Sequence, residues 1–409
     1  MPLRPIQRVN SAWLVAIALF GACSRDQKTD SPKPDETSVS PALGTTEVKV
    51  IKLGQTMPYS GPASAYGTIG KLHAAYFKQL NEAGGINGRK IEFTSLDDAY
   101  SPPKTVEQVR KLVEQDNVLA VFQSVGTAAN SAVHKYLNAK QVPQLFVSTG
   151  ATKWADPQHY PWTIGFNPTY QLEGRTYAKY ILEHIKDPKI AVLYQNDDFG
   201  KDLLKGLRDG LADKASIIVA EASYETSDPR IDSQITTLKG SGANTFVNIS
   251  TPKFSAQAVR AAFDSGWKPN HFLNNVGSSV GTALTPAGLD KSVGLITALY
   301  VKEPHDHRWD NDPAMNEFKA FMSKYYPEGD LAEHFNPYAY VSAQTLVQVL
   351  KQCGDDLTRA NIMKQAANLK NFTPGLLLPG LVINTGPDDF EPFDQVKLAR
   401  FDGEHWVLM

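Results

Sequence analysis

The chain has 409 residues, enough for two or more domains, of which 42% are hydrophobic and 21% charged. That balance excludes a disordered chain and a polytopic membrane protein. With 41 basic and 43 acidic residues, a net charge of −2 and no Lys/Arg cluster, the composition speaks against nucleic acid as a partner.

The N-terminus reads as an export signal. Arg4 and Arg8 form a basic start, and residues 12–20 are an apolar run too short to span a bilayer comfortably. Leu19-Phe20-Gly21-Ala22-Cys23 resembles a bacterial lipobox, although Phe20 replaces the usual leucine. The resemblance implies cleavage after Ala22 and acylation of the Cys23 thiol; a plain secretory signal cut near Ala22 is the alternative. Residues 24–46 are rich in Ser, Pro, Asp, Lys and Thr and cannot bury a core. The expectation is a signal peptide at 1–22, a disordered tether at 23–46, and a domain held outside the cytoplasm, periplasmic or at the cell surface. Removing 1–22 takes away Arg4 and Arg8 and leaves a net charge of −4. With Cys23 acylated, Cys353 is the only thiol left, so neither an intramolecular disulfide nor a cysteine metal cluster is expected.

From residue 47 onward strands and helices alternate. Residues 47–55 read as a first strand, followed by a helix over 65–83 with Ile69, Leu72, Tyr76 and Leu80 on one face. Gly84-Gly85 and Asn87-Gly88 turn the chain into a strand over 90–96, and Pro102-Pro103 open a helix over 105–114. The apolar run 117–122 then leads through Ser124, Gly126, Thr127 and Ala128 into a helix carrying Ala132, Val133, Tyr136 and Leu137. A strand that becomes a helix through small residues exposes free N–H groups. Those groups, with the Thr127 hydroxyl, suit a carboxylate; the same pattern also marks an ordinary helix start. Further strands are expected at 144–147, 189–194, 216–220, 245–249, 271–274, 382–384 and 395–400. Helices are expected from 201 and over 256–265, 313–325 and 336–351. This alternation predicts α/β architecture with parallel sheets covered on both faces.

The stretches KLGQTMPYSGPASAYG, NEAGGINGRKIEF, DDAYSPPKTVEQVRKLV and FVSTGATKWADPQHYPWTIGF, in that order, resemble the type I periplasmic solute-binding proteins. The branch is that of the leucine/isoleucine/valine-binding protein, and the resemblance runs from about Val48 to the C-terminus. It implies two doubly wound parallel-sheet lobes joined by three crossing segments, with a ligand held in the cleft and closure by hinge motion. The first lobe is expected at 47–165 and 295–372, the second at 166–294 and 373–409. Residues 161–165 read as the first crossing and 294–300 as the return.

By motif, Thr127 falls where a serine hydroxyl of the family holds the ligand carboxylate, and Gly150, Ala151 and Thr152 fall in the loop that holds the same group. Tyr66 falls at an aromatic position over the ligand side chain. In the second lobe the expected ligand residues are Asn167, Tyr170, Phe199, Thr251 and Asn275, with Trp154 either lining the pocket or in the core. Amino-acid binders supply acids for the ligand ammonium, yet Asn167 and Asn274-Asn275 stand where two such acids should lie. Glu173, Asp197 and Asp198 remain as possible acids, the last two also suiting a helix start. The resemblance thus implies capture of a carboxylate-bearing solute and delivery to the permease and ATPase of an ABC importer. The ligand is expected to be an apolar or aromatic acid, with a branched-chain amino acid as the alternative. Ligand sensing for a receptor or kinase is a second alternative. No catalytic residue, cofactor or metal is expected, since the sequence lacks a Gly-x-Ser-x-Gly elbow, a His-Glu-x-x-His helix and a P-loop. The histidines of 302–312 read as a solvated loop, and the protein is expected to be a monomer.

Overall fold

The computed structural model describes residues 50–409. The expected signal segment, tether and Cys23 lie outside the described residues. The first lobe is built from β1 (Val50–Met57), α1 (Gly67–Glu82), β2 (Lys90–Asp97), α2 (Pro102–Arg110), β3 (Ala120–Phe122), α3 (Thr127–Ala139), β4 (Gln144–Val147) and β5 (Thr163–Gly165). Its sheet is parallel, in the order β2-β1-β3-β4-β5. Every residue of β3 and β4 is buried, which is why these strands read as unbroken apolar runs rather than alternating ones.

The second lobe follows with α4 (Tyr170–His184), β6 (Ile190–Gln195), α5 (Asp198–Leu211), β7 (Ile218–Tyr224), α6 (Asp232–Gly240), β8 (Thr245–Ile249), α7 (Pro252–Asp264), β9 (Asn270–Leu273), the single turn α8 (Thr285–Ala287) and β10 (Ile296–Leu299). Then α9 (Pro313–Tyr325), α10 (Phe335–Cys353) and α11 (Arg359–Ala366) return to the first lobe. There the His73 ring of α1 bonds Ser342 Oγ at 2.9 Å, and Tyr76 meets Tyr340 edge-on at 5.2 Å. The antiparallel pair β11 (Lys397–Phe401) and β12 (Trp406–Leu408) completes a second sheet ordered β12-β11-β10-β9-β8-β6-β7.

Three expectations are corrected. Residues 163–165 form an edge strand of the first sheet, so the first crossing is Phe166 to Thr169 rather than 161–165. Ile296–Leu299, expected as the return crossing, is a strand of the second sheet; Ile296 pairs with Phe272, and the strand runs antiparallel to Lys397–Arg400. Residues 382–384 form no strand: Ile383 makes only an isolated bridge to Phe372, and Thr385 Oγ1 donates to Ala366 O at the end of α11. The sequence reading also omitted α4, α6, α11 and β12 as separate elements.

Each crossing contributes one buried ring to a shared hinge core: Phe166 from the first, Tyr300, just after β10, from the second, and Phe393, just before β11, from the third. Residues 372–385 bond Ala366 of α11, so they lie with the first lobe rather than opening the second at 373 as expected. The Phe166–Phe393 and Tyr300–Phe393 centroids lie 5.6 and 5.2 Å apart, at aromatic contact distance. In the loop at 302–312, His307 pairs with Asp310 at the surface. Among the described residues no group of His, Cys, Asp and Glu could hold a metal ion, and no helix is long and apolar enough to cross a membrane.

Candidate functional site

Between the lobes lies a cavity of about 460 Å³, part of which opens to solvent. The first lobe faces it with loops at the C-terminal ends of its parallel strands, where open α/β sheets bind ligands. Thr127 opens α3, and the amides of Thr127 and Ala128 have no acceptor among the described residues. Thr127 Oγ1 lies 2.5 Å from Thr149 Oγ1, whose hydroxyl in turn donates to that of Tyr170 at 3.2 Å. Free amides at a helix start beside a hydroxyl form an anion site. Gly126 has φ +99°, and a Cβ on it would sit 2.6 Å from the Tyr100 ring, so only glycine admits that ring.

Tyr100 owes its position to the DDAY sequence. Ala99 and Tyr100 both adopt left-handed backbone, at φ 51° and 58°, which costs of order 1 kcal/mol each. Asp97 accepts the Ala99 amide and Asp98 the Tyr100 amide, each at 3.0 Å, and these bonds hold the turn. Asp98 is fixed in turn by Thr105 Oγ1 at 2.8 Å. The start of α10 adds His334, Phe335 and Tyr338 to the same wall. Burial holds the His334 ring neutral, its pKa lowered to about 3.

The second lobe faces the cavity with Asn167, Tyr170, Phe199, Thr251, Asn275 and Val276. The Tyr170 and Phe199 rings are 4.9 Å apart. Asn167 is tied into the hinge: its Oδ1 accepts from Tyr338 Oη at 2.9 Å, and its Nδ2 donates to Tyr300 Oη at 3.2 Å. Asn275 Nδ2 donates to Ala298 O at 2.7 Å. Among the described residues no Asp, Glu, Lys or Arg lines this cavity. Asp197 caps α5, accepting from the amides of Phe199 and Gly200, and Asp198 pairs with Lys153 at 2.5 Å. The helix-start reading of both acids therefore describes their contacts.

The structure brings seven of the ten expected ligand residues to the cavity: Tyr66 and Thr127 on the first lobe, and Asn167, Tyr170, Phe199, Thr251 and Asn275 on the second. It does not bring Gly150, Ala151 or Thr152 there. Gly150 O accepts the Tyr170 amide at 2.7 Å, and a Cβ on Gly150 would lie 2.5 Å from Pro168 O. Ala151 packs in the core with Trp154, which settles Trp154 as a core residue. Thr152 donates through N and Oγ1 to Asp202 of α5 at 2.8 and 2.9 Å, bridging the lobes at the rim. Further contacts cross the cleft: the Lys153–Asp198 ion pair, Tyr66 Oη donating to Val276 O at 2.8 Å, Thr282 Oγ1 donating to Glu333 at 2.6 Å, and the Gly281 amide donating to Ala332 O at 3.1 Å. The lobes are closed over the cavity.

The chain matches the family described as periplasmic binding protein over residues 50–404. It belongs to that family. A Leu/Ile/Val-binding protein homologue of Brucella abortus is 27% identical over 336 residues, covering 80% of this chain and 86% of the relative. A branched-chain amino acid ABC transporter structure from Thermus thermophilus with bound valine superposes with a TM-score of 0.79 at 17% identity, covering 88% of this chain and 95% of that one. A fatty acid ABC transporter substrate-binding protein from Thermomonospora curvata superposes with a TM-score of 0.73 at 22% identity, covering 88% and 91%. This periplasmic binding protein thus has the two-lobed α/β fold of its relatives and, as a member of that family, is a non-catalytic solute-binding protein.

Sequence reasoning missed Tyr100, Tyr300, His334, Phe335 and Tyr338 in this periplasmic binding protein. Tyr100 lies in the turn that follows β2. The paired aspartates before it were its signal, since an Asp side chain can accept the backbone amide two residues on and so hold a turn. The aromatic cluster His334-Phe335…Tyr338 at a helix start was the signal for the rest.

Proposed function

We propose that the cavity captures a small solute with a carboxylate at one end and an apolar body, an apolar amino acid in the first reading. The observation that carries this is the pairing of free amides and the Thr127 hydroxyl at the start of α3 with a wall of neutral aromatic rings. The Brucella relative's name and the valine-bound Thermus structure support a branched-chain amino acid. The second reading, an apolar acid without the amine, is favoured by the amides of Asn167 and Asn275 where the family places acids, and by the fatty acid-binding relative. Calorimetric titration of the full chain with L-leucine, L-phenylalanine and their des-amino acids tests the proposal. Binding of at least one carboxylate probe is expected; binding of none, with the cavity folded, rules out the reading.

In this proposal the first lobe takes the carboxylate and the second closes over the apolar body. The protein works as a monomer, held to the membrane by a lipid on Cys23. Mass spectrometry of the mature N-terminus decides the anchor: a diacyl mass on Cys23 is expected, and an unmodified N-terminus elsewhere rejects it.

A further inference from the structure

Seven of the seventeen residues lining the main cavity are tyrosine or phenylalanine, and each lobe supplies one tilted pair of these rings. On the first lobe the Tyr66 and Phe335 centroids lie 4.9 Å apart, with their planes inclined at 58°. On the second the Tyr170 and Phe199 centroids lie 4.9 Å apart at 54°. All four rings are buried. Two rings at such an angle make a corner rather than a stack, and in the closed cleft both corners line one space.

The tyrosine hydroxyls are committed to the protein. Tyr66 Oη donates to Val276 O at 2.8 Å, Tyr338 Oη donates to Asn167 Oδ1 at 2.9 Å, and Tyr300 Oη accepts from Asn167 Nδ2 at 3.2 Å. What these residues offer a ligand is therefore the ring. A ring is negative on its face, so a set of rings is apolar toward water yet attracts a cation. His334, the lining residue able to carry a positive charge, is kept neutral by burial. Burial, and after it the nearby carboxylate of Asp197, pushes the Tyr100 phenol well above its ordinary range, so that wall also feels a negative charge. Among the described residues no acid lines the space itself. Glu173, the remaining candidate, lines only a smaller adjoining cavity, where its Oε1 accepts from the Asn275 amide and from Tyr177 Oη, each at 2.7 Å. Rings without an acid serve a primary ammonium poorly, because its three N–H donors and its charge both need partners once water is excluded. A quaternary ammonium has no N–H, and its charge is spread over alkyl groups that pack against rings.

We propose that the ligand is a betaine, a carboxylate joined through a short link to a quaternary ammonium that the rings of both lobes enclose. This rests on the reading of the main cavity as a carboxylate site and makes the apolar body of that ligand an alkyl-covered cation. The rings begin at the anion site itself. The Tyr100 ring lies against Gly126, the residue before Thr127, and the Tyr170 hydroxyl is joined to Thr127 through Thr149, by contacts of 3.2 and 2.5 Å. A carboxylate on the amides of α3 therefore has rings as its next neighbours, which suits two charges separated by a short link. The corner of Tyr66 and Phe335 and that of Tyr170 and Phe199 then take the alkyl groups from opposite lobes. Asn167 and Asn275, where the family places acids, need not supply a charge, because the rings answer the cation in their place.

The test is calorimetry of the full chain with two betaines, trimethylglycine and N,N-dimethylproline, and with 3,3-dimethylbutanoate, L-leucine, L-phenylalanine and 3-phenylpropanoate. Trimethylglycine and 3,3-dimethylbutanoate share one shape; a carbon replaces the nitrogen, so they differ in the cationic charge alone. Wild type is expected to bind trimethylglycine about tenfold or more tightly than 3,3-dimethylbutanoate, the gain from a desolvated cation among rings. Phe199→Leu and Phe335→Leu each keep an apolar side chain and remove a ring. Each is expected to weaken trimethylglycine by about fivefold or more and 3,3-dimethylbutanoate by less than about twofold. Should a variant fail to fold, the wild-type pair still decides. If any probe without a quaternary ammonium binds at least as tightly as both betaines, or if ring removal weakens trimethylglycine and 3,3-dimethylbutanoate alike, the inference fails while carboxylate capture stands. If none of the carboxylate probes binds, the reading of the main cavity fails and takes this inference with it.

Discussion

The two walls of the cleft are made differently. The first lobe presents backbone amides, hydroxyls and rings set by turns, with Gly126 and the Asp97–Asp98 pair holding Thr127 and Tyr100 in place. Its polar groups suit any carboxylate and say little about the rest of a ligand. The second lobe presents side chains whose polar ends are largely tied to other protein groups: Asn167 to Tyr338 and Tyr300, Asn275 to Ala298. What remains for a ligand there is the shape set by Tyr170 and Phe199. Under the proposed function, affinity for the acid end and choice among ligands would be separable properties of this protein.

Substitutions can break that separation or sharpen it. The largest effect is expected from Phe199→Ala, which empties a fully buried site against Tyr170 and should destabilise the protein by about 3–5 kcal/mol in chemical denaturation. It should also relax discrimination by ligand size; unchanged size preference would show that the second lobe does not read the apolar body. Thr127→Val removes one hydroxyl at constant shape and should cost about 1–3 kcal/mol of binding, equally for every carboxylate probe. An effect confined to one ligand would mean that the first lobe reads identity as well. Tyr66→Phe removes the bond to Val276 O and should cost about 0.5–1.5 kcal/mol for all ligands, seen by stopped flow chiefly as faster release.

A smaller effect concerns stability against pH. Burial pushes the pKa of Glu303 up to about 8 and those of Glu173 and Glu333 up to about 7, from 4.5. The folded chain then keeps protons that the unfolded chain has lost, so these groups lower stability as pH rises from about 4.5 to 8. His73, His271 and His334 are held neutral with pKa values near 3, against 6.5 unfolded, and lower stability as pH falls through that window. Scanning calorimetry should therefore find the highest Tm between about pH 4.5 and 6.5 and a decline toward pH 8. Glu303→Gln should flatten that decline; a Tm rising from pH 6 to 8 would contradict the assignment.

Much of the first lobe was legible because its strands are buried on both faces and its turns carry Gly, Pro and Asn. The strand at 245–249 and the helix at 313–325 have the ends that their sequences predict. The boundaries of the hinge were less legible. Ile296–Leu299 has the same short apolar pattern whether it crosses between lobes or lies within one, and only its pairing with a strand a hundred residues later decides. Residues 382–384 failed for the converse reason: a β-like triplet found no neighbour to extend it. At the site, Thr127 and Tyr66 were legible from the loops that carry them. Gly150 to Thr152 were not separable from the cavity by motif, because their loop touches the second lobe through Tyr170 and Asp202 instead. Tyr338 lies some two hundred residues from Ser148 and Asn167, whose side chains it joins, and no local pattern announces such a contact.

The bonds from Tyr66 to Val276, from Thr152 to Asp202 and from Thr282 to Glu333 close the cleft without using any atom of the solute. Escape of a captured solute waits for these bonds to part, so a share of its dwell time belongs to the protein and is the same for every cargo. A permease that prises Thr282 from Glu333 shortens that wait without touching what is carried.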